Sequence, residues 1–263
     1  MSREQVRRQR RIAAVTILAA IGLCAAVGGR ALVAEAAGHA AADWWLLVAG
    51  AVFAAEVGFV AYHLTPGRAA AAFAPPNLVT LTRGGLYAAT AGFLVVAPTT
   101  PVVRWAPAAC YGTGVVLDYL DGRLAQRLGR TTDLGARLDL AFDTLGFLVA
   151  PLVGVVWGRL PAVYLSLSAA RYVYRAGLAW RERCGRPVGD LPESRIRRPL
   201  AALQMGFITV ALAPALPTAV VHPASVVVAV PSLATFVRDY LSVTGRLGRM
   251  GGETGQPDGG SMK

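Results

Sequence analysis

Eight apolar stretches, each near the ~20 residues a helix needs to cross hydrocarbon, leave this chain few folds to choose from. They run about Ile12–Val27, Trp44–Leu64, Asn77–Pro98, Trp105–Leu120, Leu134–Trp157, Leu160–Trp180, Pro199–Leu216 and Ala219–Leu241. The expected class is therefore all-α, a polytopic membrane helix bundle. The 263 residues are 55% hydrophobic and 16% charged, against about 25% charged in soluble domains. A net charge of +11 invites a nucleic-acid reading, but the basic residues are nearly all Arg at segment ends. Membrane topology and anionic headgroups account for that placement, so no nucleic-acid partner is expected. The three cysteines, Cys24, Cys110 and Cys184, have no paired spacing and give neither a disulfide framework nor a zinc site.

Eight spans with the N-terminus inside put Arg3–Arg11, Arg68, Arg83, Arg123–Arg137, Arg181–Arg198 and Arg246–Lys263 on one side. Only Arg30, Arg104 and Arg159 fall on the other. By the positive-inside rule the first side is cytoplasmic, in the cell membrane. The polar start with five Arg before Ile12 resembles a signal peptide, with Ala34-Glu35-Ala36 as a weak cleavage site. Arg30 and Glu35 interrupt the region before Ala36, which favours an uncleaved helix. Asp43-Trp44-Trp45 reads as an interfacial anchor, and Glu56, in mid-span, as a buried structural carboxyl. Pro151 marks a kink in the fifth span. Residues 1–67 are expected to form an added two-helix module, 75–243 a six-helix core and 250–263 a Gly-rich disordered tail.

One stretch carries chemistry. Between Asp118 and Asp143, Asp118, Asp121, Gly122 and Ala125 share one helix face, and Gly135, Asp139 and Asp143 share a face of the next helix. A reversal near residue 130 sets Asp118 level with Asp143, Asp121 with Asp139, and Ala125 with Gly135. Small residues at that register let the helix ends approach. Four carboxylates so close cannot all ionise without a cation among them. An all-oxygen ligand set selects a hard ion, Mg²⁺ or Mn²⁺, and four carboxylates suit a pair of ions about 3.5–4 Å apart. Arg171 lies eleven residues into the sixth span, roughly 16 Å deep, with Arg175 one turn nearer the cytoplasm. Two readings stand for this pair: a grip on an acceptor phosphate, or structural pairing with a buried acid and snorkelling. The loop Gly185–Arg198 reads as a lid or headgroup site, or as a solvated inside loop.

The pattern resembles the CDP-alcohol phosphatidyltransferase signature, D-x-x-D-G-x-x-A-R, eight residues, then G-x-x-x-D-x-x-x-D. A second feature of that family, P-N-x-x-T-x-x-R, is matched by Pro76, Asn77, Thr80 and Arg83. The resemblance covers roughly residues 75–243. It implies transfer of a substituted phosphate from a CDP-linked lipid to an alcohol or alcohol phosphate, with CMP released, in phospholipid biosynthesis. It implies Asp118, Asp121, Asp139 and Asp143 as Mg²⁺ ligands, with Asp143 also the general base. Asn77, Thr80, Gln126 and Thr132 fall at CDP-contacting positions. Gly122 and Ala125 leave room for the nucleotide, and Gly135 joins this substrate-binding set. Homodimerisation is implied by the resemblance alone. The alternatives are a different donor or acceptor on the same fold, a cation-binding transporter, and a non-catalytic scaffold. The terminal carboxylates disfavour the transporter, whose ion sites sit near mid-membrane. Retention of all four Asp and both Gly disfavours the scaffold.

One residue departs from the signature: Gln126 stands where the family has Arg. Gln hydrogen-bonds a phosphate without Arg's charge or bidentate fork. Gln126→Arg is expected to retain or raise transferase activity in a purified-enzyme assay. A large loss would show a pocket rebuilt for another substrate.

Overall fold

The computed structural model describes residues 2–64, 75–128, 133–186, 189, 194 and 196–244; of 121–128 and 133 it describes the backbone alone. All regular structure among these is helical. The helices are α1 (Arg3–Ala37), α2 (His39–His63), α3 (Pro75–Gly92), α4 (Pro101–Leu128), α5 (Asp133–Val156), α6 (Leu165–Arg183), α7 (Arg197–Leu212) and α8 (Thr218–Val243). Short 3₁₀ turns follow α3 (Phe93–Val95) and precede α6 (Ala162–Tyr164). Each helix coincides with one of the eight apolar stretches; α1, α4 and α8 run longer at both ends, whereas α3 and α7 stop short at their C-terminal ends and α6 starts late. The expected linker 65–74 and tail 250–263 lie outside the described residues.

Five segments are long and apolar enough to cross a bilayer: Arg3–Ala37, His39–His63, Pro75–Val95, Leu134–Val156 and Thr218–Val243. The chain is thus a multi-pass membrane protein. Sequence reading expected eight spans, and α4, α6 and α7 do not reach that standard among the described residues. Helix α7 has 16 residues, about 24 Å, short of a ~30 Å core. Helix α6 carries Arg171 and Arg175 along its length. These shorter or more polar helices pack within the bundle, α4 on α3 and α7, and α6 on α5 and α8.

Helix α1 is continuous through Glu35. A capping box of Ser2 and Gln5 starts it. It ends at Gly38, whose φ of 89° turns the chain into α2. Trp45 corrects the expected anchor. Trp44 is exposed, but Trp45 is buried, lies against Gly29 and Gly92, and donates Nε1–H to Ala89 O at 3.1 Å. A carbonyl within reach satisfies the buried indole, so this ring locks α1 and α2 onto α3.

Helix α3 is the centre of the core. It packs along both α4 and α5, which touch each other little among the described residues. Of the pair expected to bring α4 and α5 together, Gly135 is buried on α5, and the Ala125 side chain lies outside the described set. Tyr87 of α3 is fully buried, with its ring against Gly114 of α4 and Gly146 of α5. Its ring centroid lies 5.5 Å from that of Tyr111. Small residues here admit an aromatic ring between helices, a variant of small-residue membrane packing.

A Cβ on Gly146 would fall 2.8 Å from the Tyr87 ring, and nothing lies within 4 Å of one on Gly28. Gly146→Leu is expected to cost about 1–3 kcal/mol by overpacking. Gly28→Ala should be neutral or stabilising. Thermal unfolding of detergent-purified protein compares the two, and equal midpoints would remove Tyr87 as the wedge.

Candidate active site

The face of α3 that carries Asn77, Thr80 and Arg83 is buried, each of the three 1–3% exposed. Their i, i+3, i+6 spacing places them on one side of the helix. Arg83 sends its guanidinium between α4 and α5. Nη1 meets Asp118, Nη2 donates to Asp139 Oδ1 at 3.0 Å, and the same nitrogen lies 3.4 Å from Asp143 Oδ1. Thr80 donates its hydroxyl to Asp139 Oδ1, also at 3.0 Å, and lies 3.1 Å from Pro76 O on its own helix. Three acids from two helices thus converge on one cation from a third.

Exposure gives the cluster a direction. The Arg83 side chain is 1% exposed, while those of Asp118, Asp139 and Asp143 are 36%, 49% and 33% exposed. The guanidinium is the floor and the carboxylates are walls whose outer parts remain reachable. If all ionise, three negative charges face Arg83 and, at Asp143, Arg171 as well, so an acidic excess remains. Asp143 Oδ1 is buried and receives no hydrogen bond. An orphaned buried oxygen within an uncompensated acidic group fits a divalent cation. As the side chains stand, no three His, Cys, Asp or Glu among the described residues form a metal cage. Arg83 occupies the space between the acids, and the side chain of Asp121 lies outside the described set.

Arg171 and Arg175 reach the same stretch of α5 from α6. The Arg171 guanidinium carbon sits 4.0 Å above the centroid of Phe147. Arg175 Nη1 donates to Thr144 Oγ1 at 3.3 Å. Neither makes a direct ion pair with an acid among the described residues, but the charge of Asp143 acts on Arg171, so both readings of the pair stand. Thr144 follows Asp143 directly, which places Arg175 at the edge of the acidic group. Asn77 is buried on the face of α3 that carries Thr80 and Arg83, and Gly135 is buried one turn before Asp139 on α5. Gly122, Ala125 and Gln126 are described only as backbone of α4, and Thr132 lies outside the described residues, as does half of the 185–198 loop.

Arg83 was legible as a motif residue but not as the hub. The signal was its place six residues after Asn77 and three after Thr80, which puts it on the face of the other two. Nothing in spacing alone says that α4 and α5 would both turn their acids towards it.

The site is thus a set of half-open carboxylates around a buried guanidinium within a helical membrane bundle. A sequence model of one family of membrane enzymes, CDP-alcohol phosphatidyltransferase, matches residues 73–231. The chain belongs to that family and is a transferase by membership. No curated protein and no solved structure matches it. The matched region takes in the site helices and leaves out α1 and α2.

The role of Arg83 as internal countercharge is open to measurement. Arg83→Met should unfold at lower temperature than wild type in EDTA, because three acids then face one another alone. Millimolar Mg²⁺ should restore part of that loss and raise the variant's midpoint more than that of wild type. Identical responses to EDTA and Mg²⁺ in the two proteins would show that the acids do not repel one another.

Proposed function

We propose that this protein moves a substituted phosphate from a CDP-linked lipid to an alcohol acceptor, with release of CMP, as a step of phospholipid synthesis. The observation that carries the reading is the convergence of Asp118, Asp139 and Asp143 on Arg83. With Asp121 they form the ligand set for Mg²⁺, two ions by the resemblance. Bound there, Mg²⁺ would neutralise the diphosphate and stabilise the charge that develops as the phosphorus–oxygen bond breaks.

The chain's own groups do the rest. Asp143 takes the proton of the acceptor hydroxyl as its oxygen attacks phosphorus. The bond from phosphorus to the CMP oxygen breaks, and CMP leaves with the electron pair. The buried oxygen of Asp143, without a competing hydrogen bond, suits a base. Thr80 and Arg83 hold Asp139 in place. Asn77, Gly122, Ala125, Gln126, Thr132 and Gly135 border the nucleotide. Arg171 and Arg175, on the Thr144 side of Asp143, suit an anionic group on the acceptor. The asymmetry of Arg residues supports a cytoplasmic site and a cytoplasmic N-terminus.

The test supplies purified protein with Mg²⁺, a CDP-linked lipid and a panel of alcohols, and follows CMP. Release should need the metal and an acceptor, and fall by about 10²–10⁴-fold in Asp143→Asn. Cation flux in proteoliposomes without CMP release would overturn the reading in favour of a transporter.

A further inference from the structure

One face of α6 is polar. Tyr164, Ser168, Arg171 and Arg175 stand at i, i+4, i+7 and i+11, so they share a side of the helix and of the 3₁₀ turn that leads into it. That face meets α5 where Pro151 has no N–H to give the Phe147 carbonyl one turn back. Ser168 fills the gap, donating Oγ–H to Phe147 O at 2.6 Å. Beside this break lies a small cavity among α5, α6, α7 and α8, lined by Tyr164, Ser168, Arg171 and Gln204 together with apolar residues. The centre of a water molecule has about 10 Å³ in which to move there. That is enough for one water and too little for an organic ligand.

The polar lining calls for a partner. Tyr164 is 2% exposed, and its hydroxyl has no hydrogen-bond partner among the described residues. A buried hydroxyl without a partner is costly. Gln204 is buried and carries two donors and an acceptor on its amide. Arg171 lays its guanidinium over the Phe147 ring. That contact uses the face of the group and leaves the N–H donors on its edge to other acceptors. A water that accepts from Arg171 and bonds to Tyr164 and Gln204 has three polar partners, the usual number for a buried one. We propose that this cavity binds one ordered water, through which Tyr164 and Gln204 position the Arg171 guanidinium. The water replaces part of the hydration that an arginine loses inside a membrane bundle. A guanidinium fixed in this way gives up less conformational freedom when an anion binds it. The water site stands on the cavity and its lining. Its effect on the acceptor rests on the transferase reading, in which Arg171 takes an anionic group.

X-ray radiolysis of the full-length protein in isotope-labelled water tests the site without relying on catalysis. Radicals formed on a bound water oxidise the side chains that touch it, however deeply buried, and leave labelled oxygen on them. Phe147 and Tyr164 should take up label severalfold faster than Phe93, which is also buried and lies outside this cavity. Gln204→Met and Tyr164→Phe each remove one partner of the water. Each should slow the labelling of Phe147 about fivefold, the worth of one net hydrogen bond. Tyr164→Phe keeps the ring that packs against Phe207, with centroids 5.8 Å apart, so the comparison survives if Gln204→Met does not fold. Labelling of Phe147 at the rate of Phe93, or at an unchanged rate in both variants, would overturn the water site. The positioning role is read from CMP release with an alcohol phosphate as acceptor. In Tyr164→Phe the acceptor's KM should rise about fivefold while the KM for the CDP-linked lipid holds. An unchanged acceptor KM alongside lost labelling would overturn that role. Labelling decides the water whether or not the protein releases CMP, so failure of the site and failure of the transferase reading remain distinct.

Discussion

A guanidinium buried to 1% exposure in a membrane bundle is the constraint on which the rest of this structure hangs. Such a charge is tolerated only where acids stand close enough to offset its lost hydration. Arg83 therefore dictates that α4 and α5 present Asp118, Asp139 and Asp143 to α3. The demand is not symmetrical. One guanidinium offsets one carboxylate of three, so the acids keep an excess that makes the outer part of the cluster attractive to cations and to positively charged reaction centres. Their partial exposure lets that excess act on something arriving from outside.

Helix α3 manages this because its faces are assigned to different neighbours. Asn77, Thr80 and Arg83 turn to the acids. One turn further on, Tyr87 fills the gap that Gly114 and Gly146 leave between α4 and α5. Leu81, Gly85 and Ala89 turn to α1 and α2. The ring of Tyr87 holds α4 and α5 apart as well as together, which keeps room beside Arg83. Packing and electrostatics are thus linked through a single helix, with the aromatic wedge a turn away from the charge it serves.

Helix number, the acid-bearing faces and the membrane class were legible because each is a local pattern: apolar length, or carboxylates at i, i+3 and i+4. The order of packing was not. The mirrored acids suggest that α4 and α5 meet directly, and spacing carries no sign that a third helix lies between them. Only the volume of Tyr87 and the absence of side chains at Gly114 and Gly146 decide that, and those positions are 27 and 59 residues away in the chain. Trp45 was misplaced for a similar reason. An aromatic pair after Asp43 has the composition of an interfacial belt, yet a carbonyl on α3 and two glycines give one of the pair a better site inside. Glu56 is buried as its place in mid-span implies, and no described residue donates a hydrogen bond to its Oε1.

The three Arg at the far end of the bundle show what becomes of charge when it has a local use. Arg30 pairs with Asp43 at 2.6 Å and ties α1 to α2. Arg104 donates to Pro98 O at 2.9 Å. Arg159 donates to the carbonyls of Ala211, Ala213 and Leu216, the acceptors that the end of α7 leaves unfilled. Each sits where a backbone or a single acid can absorb it, so these charges close the bundle and carry no free field. Arg83 differs because its partners outnumber it. A cation matched one to one becomes a structural tie, whereas one outnumbered three to one becomes the base of a site, and burial depth alone would not have distinguished the two.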